Sequence, residues 1–476
     1  MSRFLAAVNR FKFVILVYLV LAFLLWPLIK LSMHNVPMAD DFIYGLPAKH
    51  AYVETGSVFA AVKAAASVVA DKYMNWQGSY SSIFLMALQP EVFSMSLYHF
   101  AAILLIVFTV LAPVFLALVI NKYYLKADVR ALLIAVAAYV ATIFSYMPSI
   151  MQGIYWFNSA YYYTFTFDMA LCYIAIMILF SNTNKKRARW IYFSLLILMS
   201  IMLAGTNYPF ILAAAICYPV FVLTALIKRA KYRWYYFGFC IFFGVLAAVN
   251  VFAPGNLGQS ALKTHASIPM TLFLMLTDFS AEMADWSRIP ITIVSAVLII
   301  PFSGKFVSNS KIKFAHPVLT ILFSAFLLYS QYAMAEFVFK NSGPARAINI
   351  RFMLFHLLIL ANTINLLGYL KQKGKMPEKQ NAALSILLAF SLLASSTAAN
   401  PLEGSWPLIA VNNDIYLHTQ EFSEAMNQRF AALYDDSIKD VEVEHIESFP
   451  MLYDSDMWKY YKPTDYYQKN SIKTGD

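Results

Sequence analysis

Long apolar runs separated by short polar segments make up most of the chain. Eleven stretches are long enough to cross a hydrocarbon core of about 30 Å as helices. One longer run, at residues 190–227, exceeds a single span, and Gly-Thr-Asn-Tyr-Pro at 205–209 predicts a tight turn within it. We therefore predict an all-α polytopic protein with about eleven transmembrane helices, near residues 11–30, 96–120, 131–147, 164–181, 190–205, 208–227, 234–253, 289–303, 314–335, 350–370 and 381–399.

Composition supports a membrane protein. Hydrophobic residues make up 60% of the chain and charged residues 13%, and the mean hydropathy is +0.60. A soluble globule of 476 residues does not need so much apolar surface. The net charge of +10 does not indicate nucleic-acid binding, because the basic residues are spread over alternate loops.

The distribution of charge predicts the orientation of the helices. With the N-terminus in the cytoplasm, the cytoplasmic segments hold 21 of the 36 Lys and Arg residues, whereas only Asp128 and Glu378, of 26 acids, fall there. This bias follows the positive-inside rule. An even number of helices would place the acidic C-terminal tail in the cytoplasm, so we predict eleven, with the C-terminus outside.

The first apolar run and the cysteines bear on the type of membrane. Basic residues precede the run, as in a signal peptide, but its length and the lack of a small-residue cleavage site favour a retained signal anchor. All three cysteines (Cys172, Cys217 and Cys240) lie in predicted spans, and the chain has no Asn-x-Ser/Thr sequon. These features favour a bacterial cytoplasmic membrane over a eukaryotic secretory one.

Two external segments are predicted to fold around the transmembrane domain of residues 1–400. In the first loop, at about 31–95, the periodicity of residues 57–73 predicts an amphipathic helix lying on the membrane surface, and a second short helix follows Gly78. The tail, residues 401–476, has too few aliphatic residues for an independent core and is expected to be a docked α/β appendage.

Within the tail, two elements are predicted. Asn413 or Asp414 would cap a helix that runs to about Tyr434. Val441 and Val443 alternate with acids, which predicts a short strand.

Two adjacent carboxylates, Asp40 and Asp41, lie just beyond the first apolar run, at the start of the first loop. A solvated pair of loop acids is one interpretation. The other is catalytic, because a carboxylate within hydrogen-bond reach can remove a proton from a hydroxyl. Successive side chains in extended backbone point apart, so one acid would be the base. Its neighbour would orient the acceptor, a backbone amide or a divalent metal ion.

The sequence around this pair resembles the GT-C superfamily of membrane glycosyltransferases. The shared features are Asp-Asp-Phe-x-Tyr at 40–44 after the first helix, a long first loop and about eleven spans. Similarity to a poorly characterised bacterial glucosyltransferase-like group extends to Asn-Trp-Gln-Gly at 75–78, Ala-Pro-Gly-Asn at 253–256 and the acidic, Tyr-rich tail. The chain departs from that group at Ser79, where related sequences carry a basic residue.

The resemblance implies transfer of a sugar from a polyprenyl-phosphate donor to a cell-surface glycan or lipid, on the outer face of the membrane. Asp40 or Asp41 would be the general base, and a single displacement would invert the anomeric carbon. Membrane lipids are the expected surroundings, and no cofactor other than a divalent metal at the pair is expected.

A phosphate leaving group needs cations to stabilise its developing charge. Few cations lie outside the membrane in the predicted topology. The candidates for binding the donor phosphate are Arg346, Arg351, Lys72 and Lys263. Snorkelling of these side chains to lipid headgroups is the alternative.

Candidate substrate-binding residues are aromatic or uncharged polar side chains close to these motifs. They are Tyr44, Trp76, Gln77, Gln152, Trp156, Asn158 and Asn256. An interfacial belt of Trp and Tyr is the alternative for the aromatic members. Asp168 and His356 fall inside predicted spans, where an ionisable group indicates either function or a polar packing partner.

Two other functions use similar substrates. A lipid-linked oligosaccharide flippase predicts charged residues along a central cavity, whereas the spans here are almost free of Lys, Arg and Glu. A glycan polymerase would share the donor and is not separated from a transferase by sequence.

Overall fold

Helices form most of the structure, a computed structural model that describes residues 2–261, 264–287, 310, 312–375, 405–416, 418–460 and 463–474. A helix satisfies its backbone hydrogen bonds internally, which suits a chain of apolar runs. Up to residue 375 the helices are α1 (Ser2–Ser32), α2 (Asp40–Thr55), α3 (Val58–Asn75), α4 (Tyr80–Ala87), α5 (Met95–Ile120), α6 (Val129–Tyr146), α7 (Phe157–Asn182), α8 (Lys186–Ala204), α9 (Tyr208–Ile227), α10 (Arg233–Val251), α11 (Pro254–Ala261), α12 (Ile268–Trp286), α13 (Pro317–Ser330), α14 (Ala333–Phe339) and α15 (Ala345–Gln372).

Within the described residues, nine segments are long and apolar enough to cross a membrane. They are Asn9–Ser32, Met95–Leu125, Val129–Tyr146, Phe157–Asn182, Lys186–Ala204, Tyr208–Ile227, Arg233–Val251, Pro317–Phe339 and Ala345–Gln372. Each overlaps a predicted run, so the prediction of a helical fold of the membrane type is confirmed for these segments. The other two predicted runs, 289–303 and 381–399, lie outside the described residues, and the total of eleven stays a prediction.

The predicted turn between α8 and α9 is present at residues 205–207. The side-chain oxygen of Asn207 caps α9 by accepting a hydrogen bond from the Phe210 amide at 2.9 Å. Asn250 of α10, which is fully buried, donates to the carbonyls of Ala204 and Thr206 at 2.9 Å each. The first loop contacts this turn, because the amide of Ser81 donates to the carbonyl of Gly205. We call this side of the bundle the loop end.

One long helix, α12, falls outside the predicted runs. It has 19 residues and packs against α13 and α14. Three acids, Asp278, Glu282 and Asp285, lower its hydropathy, so the apolar pattern did not reveal it.

The first loop is mostly helical, and this corrects the prediction for Asp40 and Asp41. Both acids lie in the first turn of α2, so their backbone is helical and not extended. The chain turns from α1 into α2 at Ala39, whose φ of 47° is uncommon for a residue with a Cβ. Met38 and Ala39 are buried, and their packing maintains this turn.

The predicted helices of the first loop are α3 and α4. The hydroxyl of Ser57 caps α3 by accepting a hydrogen bond from the Ala60 amide. The buried residues of α3 are Ala61, Ala65 and Val68. This face packs against α2 and α4, so α3 extends the protein core as well as presenting a surface.

In its described residues the tail contains three helices and a small sheet. They are α16 (Trp406–Tyr416), α17 (Thr419–Tyr434), α18 (Ser455–Tyr460), β1 (Asp440–Val443) and β2 (Ser471–Thr474), with the two strands parallel. The predicted strand is β1. The predicted cap at Asn413 or Asp414 is wrong, because both residues lie inside α16. The next helix, α17, begins after His418, where φ is 52°.

The tail packs on the loop end of the bundle. The indole of Trp406 donates to the carbonyl of Met147 at 2.6 Å. Trp458, Tyr466 and Tyr467 surround the ring of Phe42 at centroid distances of 5.9, 5.3 and 6.1 Å. These contacts bring the end of the chain next to the first turn of α2.

Candidate active site

Asp41 is fully buried and bonded to three donors. Its carboxylate accepts hydrogen bonds from the hydroxyl of Tyr98 at 2.7 Å, and from the amides of Asn158 and Met38 at 3.1 Å each. Burial raises the pKa of Asp41 to about 7, although these hydrogen bonds oppose the rise. Asp41 therefore joins α2 to the starts of α5 and α7, and both of its oxygens are engaged.

Asp40 is partly exposed and lies near two cations. Burial raises the pKa of Asp40, and the positive charges of Arg346 and Lys72 oppose that rise. Both cations are candidates from the sequence for binding the donor phosphate. The positive charges of both residues therefore reach one carboxylate of the pair.

Arg346 is positioned by two residues of the segment before α7. Its backbone amide donates to the Gln152 side-chain oxygen at 3.1 Å, and its guanidinium carbon lies 5.3 Å from the ring centre of Trp156. Among the described residues the guanidinium has no hydrogen-bond partner. The ring stabilises the charge, and the five N–H donors are left for an anionic ligand.

Tyr44, on α2 one turn after Asp40, joins this helix to the end of α3. Its hydroxyl accepts a hydrogen bond from the Gln77 side chain at 3.4 Å, and its ring centre lies 5.9 Å from the Lys72 ammonium. Burial and the charge of Asp40 raise the pKa of Tyr44, which keeps its hydroxyl neutral. Trp76, beside Gln77, is 49% exposed. These residues border Asp40 on the side of Lys72.

Two buried polar groups near the carboxylates lack partners. The indole nitrogen of Trp156 and both side-chain atoms of Asn158 form no hydrogen bond within the described part of the chain. Most buried polar groups in proteins are bonded. The indole of Trp156 and the amide of Asn158 are therefore exceptions to this rule.

The structure does not support Arg351 as a phosphate ligand. Its guanidinium is buried and pairs with Glu282 of α12 through two hydrogen bonds, at 2.9 and 3.1 Å. It also donates to the carbonyl of Ser342 at 2.8 Å and lies over the ring of Tyr332. Since a carboxylate already matches its charge, Arg351 joins α15 to α12.

Asn256 likewise has a structural role, and this corrects the prediction that it binds substrate. Its side-chain oxygen accepts from the amide of Gly78 at 3.1 Å and from the Tyr208 hydroxyl at 2.6 Å. Its side-chain nitrogen donates to the carbonyls of Asn250 and Val251. An amide has no further capacity for sugar hydroxyls, so Asn256 fixes the Pro-Gly-Asn turn against the Trp-Gln-Gly turn.

One other feature of the resemblance, the departure at Ser79, has a definite outcome in the structure. Ser79 is fully buried and its hydroxyl lies 2.7 Å from that of Tyr162. The site has no room there for the basic side chain of related sequences. Lys263 lies outside the described residues.

A divalent metal does not fit the acidic pair. Both oxygens of Asp41 accept hydrogen bonds from protein donors. The described residues also hold no group of three or more His, Cys, Asp or Glu side chains that could bind a metal ion.

An apolar cavity of about 490 Å³ extends from the loop end toward the opposite end of the bundle. Tyr163 and Asn207 line it at the loop end, and Ser181 and Tyr236 line it at the far end. On α7 the lining residues run from 163 to 181, which corresponds to about 27 Å of helix. The cavity therefore spans nearly the thickness of a bilayer core.

Asp168 and His356 are buried inside spans, apart from this site. Asp168 accepts a hydrogen bond from the Thr109 hydroxyl at 2.6 Å, and the Nδ1 of His356 lies 2.9 Å from the carbonyl of Phe352. The Thr109 hydroxyl is the polar partner that the packing interpretation requires for Asp168, whereas the Nε2 of His356 forms no hydrogen bond within the described residues.

Sequence reasoning missed Tyr98 and Glu282, which decide the roles of Asp41 and Arg351. Tyr98 is one of 31 tyrosines, and nothing in its surroundings marks it. The acid content of α12 was a usable signal, because a run of acids at the edge of the membrane predicts a basic partner.

Comparisons with known proteins do not assign the chain to a family. A scan against models of protein families finds no match, and a search of curated proteins finds no relative.

Proposed function

We propose that the protein is a membrane glycosyltransferase that moves a sugar from a polyprenyl-phosphate donor to a hydroxyl of a cell-surface glycan or lipid. One observation carries the proposal. The charges of Arg346 and Lys72 act on Asp40, and an apolar cavity that spans most of the bundle begins at the same loop end. A base, phosphate-binding cations and space for a lipid chain are the three parts that this reaction needs.

The cavity suits the lipid part of the donor. Ile350, Leu354 and Leu357 line it from α15, at the spacing of one helix face. Arg346 lies four residues before Ile350 and so extends this face at the loop end. A chain lying along these residues would bring its phosphate to the unpaired guanidinium of Arg346.

The charges suit a single displacement. Asp40 takes the proton of the acceptor hydroxyl while the acceptor oxygen forms a bond to the anomeric carbon. The bond from that carbon to the phosphate oxygen breaks, and the phosphate keeps the electron pair. Arg346 and Lys72 stabilise its charge, and attack opposite the leaving group inverts the anomeric carbon.

The raised pKa of Asp40 favours its role as the base. Proton transfer is most efficient when the pKa of a base approaches the working pH, and burial moves the pKa of Asp40 in that direction. Asp41 instead holds the first turn of α2, because its oxygens are already bonded.

The proposed location is the bacterial cytoplasmic membrane, with the loop end on the outer side. The charge bias of the loops and the lack of sequons support it. An outward site would meet acceptors of the cell envelope and lipid-linked donors.

Sugar transfer by the purified protein tests the proposal, with a polyprenyl-phosphate sugar as donor and an envelope glycan fraction as acceptor. We expect Asp40→Asn to lower kcat by about 10² to 10⁴-fold, the usual contribution of a general base. The variant should fold normally, because the side chain of Asp40 forms no hydrogen bond with the residues that the structure describes.

Asp41→Asn is the matched comparison. An amide cannot accept from all three donors, so this variant should lose about 1–3 kcal/mol of its free energy of unfolding, the cost of an unpaired buried group.

Full transfer by the Asp40→Asn variant would overturn the assignment of the base.

A further inference from the structure

Glu91 binds the C-terminal tail to the first loop. It lies in the turn Pro90–Val92, and its carboxylate is fully buried. Lys49 of α2 donates to it at 3.0 Å. Three tail hydroxyls also donate to it, those of Tyr434, Tyr466 and Tyr467. A buried charge is tolerated only with such partners, so the tail supplies most of the groups that solvate Glu91.

The same tyrosines contact α2 beside the carboxylates. Tyr466 packs edge-on against Phe42, the residue after Asp41, and accepts a hydrogen bond from the Gln89 side chain at 2.9 Å. A Cβ added at Gly45 would lie 3.2 Å from the ring of Tyr466. The tail and the first turn of α2 are therefore in close contact.

A second contact lies further along α2. The Nε2 of His50 lies 2.8 Å from the carbonyl of Asp465. Together with Lys49 and Phe42, it gives α2 three points of attachment to the region of Glu91 and the tail. Displacement of the tail would remove three hydrogen-bond donors from Glu91 and would remove the ring contacts on Phe42 of α2.

We propose that the C-terminal tail is a positioning part of the active site, in which Tyr466 and Glu91 hold α2 so that Asp40 faces Arg346 and Lys72. This inference rests on the proposed function for its catalytic consequence. The contact itself does not depend on that function. Tyr466 is a positioning residue, because it acts on the site through Phe42 and Glu91.

The test uses the full-length variants Tyr466→Phe and Glu91→Gln. Each weakens the attachment but retains a side chain of similar volume. The control is Tyr453→Phe, which removes a hydroxyl bonded to Arg429 inside the tail at 3.0 Å. Hydrogen exchange of the peptide covering residues 40–55 and steady-state transfer are measured on each variant.

We expect faster exchange in this peptide for Tyr466→Phe and Glu91→Gln and unchanged exchange for Tyr453→Phe. The kcat should fall about 10-fold to 100-fold, the cost of a small misplacement of a catalytic group. The donor KM should stay within about twofold of the wild-type value, because the phosphate-binding residues lie outside α2. Wild-type exchange in both variants would overturn the proposal. So would equal losses of kcat in the control.

Failure of the proposed function gives a different result. If the wild-type protein transfers no sugar, the glycosyltransferase assignment fails. Exchange of residues 40–55 then decides whether the tail positions α2.

Discussion

Asp40 and Asp41 are adjacent in the chain but differ in their access to ligand. Neighbouring residues in a helix are rotated by about 100°, so one side chain enters the core while the other faces the edge of the site. Asp41 meets Tyr98 and the amide of Asn158 there, and Asp40 meets the field of Arg346 and Lys72. This difference supports the proposed roles, in which Asp40 takes part in the chemistry and Asp41 holds the structure.

The raised pKa of Asp41 predicts a pH-dependent stability. The ordinary value is 3.8 and the folded value is about 7, so the folded protein holds a proton that the unfolded chain has lost between these values. The stabilisation is complete below about pH 4 and is lost as the pH rises to about 7. We expect the Tm in detergent to fall over this range, and to fall less in Asp41→Asn.

The Tm is plotted against pH for the wild type and for Asp41→Asn. The difference between these two curves is compared, because other groups titrate in both proteins. Parallel curves for the wild type and Asp41→Asn would contradict the raised pKa of this carboxyl.

Arg346 and Arg351 are five residues apart and are predicted to behave differently. Arg346→Ala should raise the donor KM, lower kcat, or both, by at least about 10-fold, whereas Arg346→Lys keeps the charge without the forked geometry and should retain part of the activity. Steady-state transfer with varied donor measures this.

Arg351→Gln is the contrasting variant. It removes the cationic partner of Glu282 and leaves the carboxylate with the Tyr332 hydroxyl, so it should lower the Tm more than Arg346→Ala does. Normal use of the donor by Arg346→Ala would place the phosphate at Lys72 or at Lys263.

At the scale of elements, the first loop is attached to the bundle by close backbone approaches. The turn after α3 meets the turn after α10, where Gly78 lies against the carbonyl of Asn250 and Gly255 lies against the backbone of Trp76. Asn256 then joins the two turns by hydrogen bonds. This junction positions Lys72 and Gln77, which precede Gly78 in the chain.

Gly78→Ala is predicted to damage the junction. The added Cβ would lie 1.9 Å from the Asn250 carbonyl oxygen and 2.7 Å from the Ala253 Cβ, so the two turns must separate. We expect a loss of about 1–3 kcal/mol, typical of overpacking, seen as a lower Tm. The control Gly238→Ala on α10 adds a methyl that meets no atom within 4 Å. Equal Tm values for the two variants would contradict the close approach.

At the scale of the whole molecule, the orientation in the membrane decides which side the site faces. The Lys and Arg bias predicts that the loop end and the tail are outside. Alkaline phosphatase fused after Asn400 should therefore be active, and the same enzyme fused after Gly374 should be inactive. The opposite pattern would place the site in the cytoplasm and exclude acceptors of the cell surface.

The sequence by itself determined the helical membrane character and the positions of most helices. Nine described spans overlap predicted runs, because each helix satisfies its own backbone and its apolar residues are contiguous in the chain. The turn at 205–207, α3 and α4 were also predictable, since their signals are local: capping residues, glycine and helical periodicity. The cations Arg346 and Lys72 stood out because basic residues outside the membrane are few, and the acidic pair stood out because it directly follows the first apolar run.

The tertiary structure decided the role of each charged group, because the deciding partners are remote in the chain. Asp41 is bonded to residues 57 and 117 positions away, Arg351 pairs with a residue 69 positions before it, and Glu91 binds a tyrosine 375 positions after it. Burial and the pairing of charges depend on which helices pack together. No local pattern contains that information.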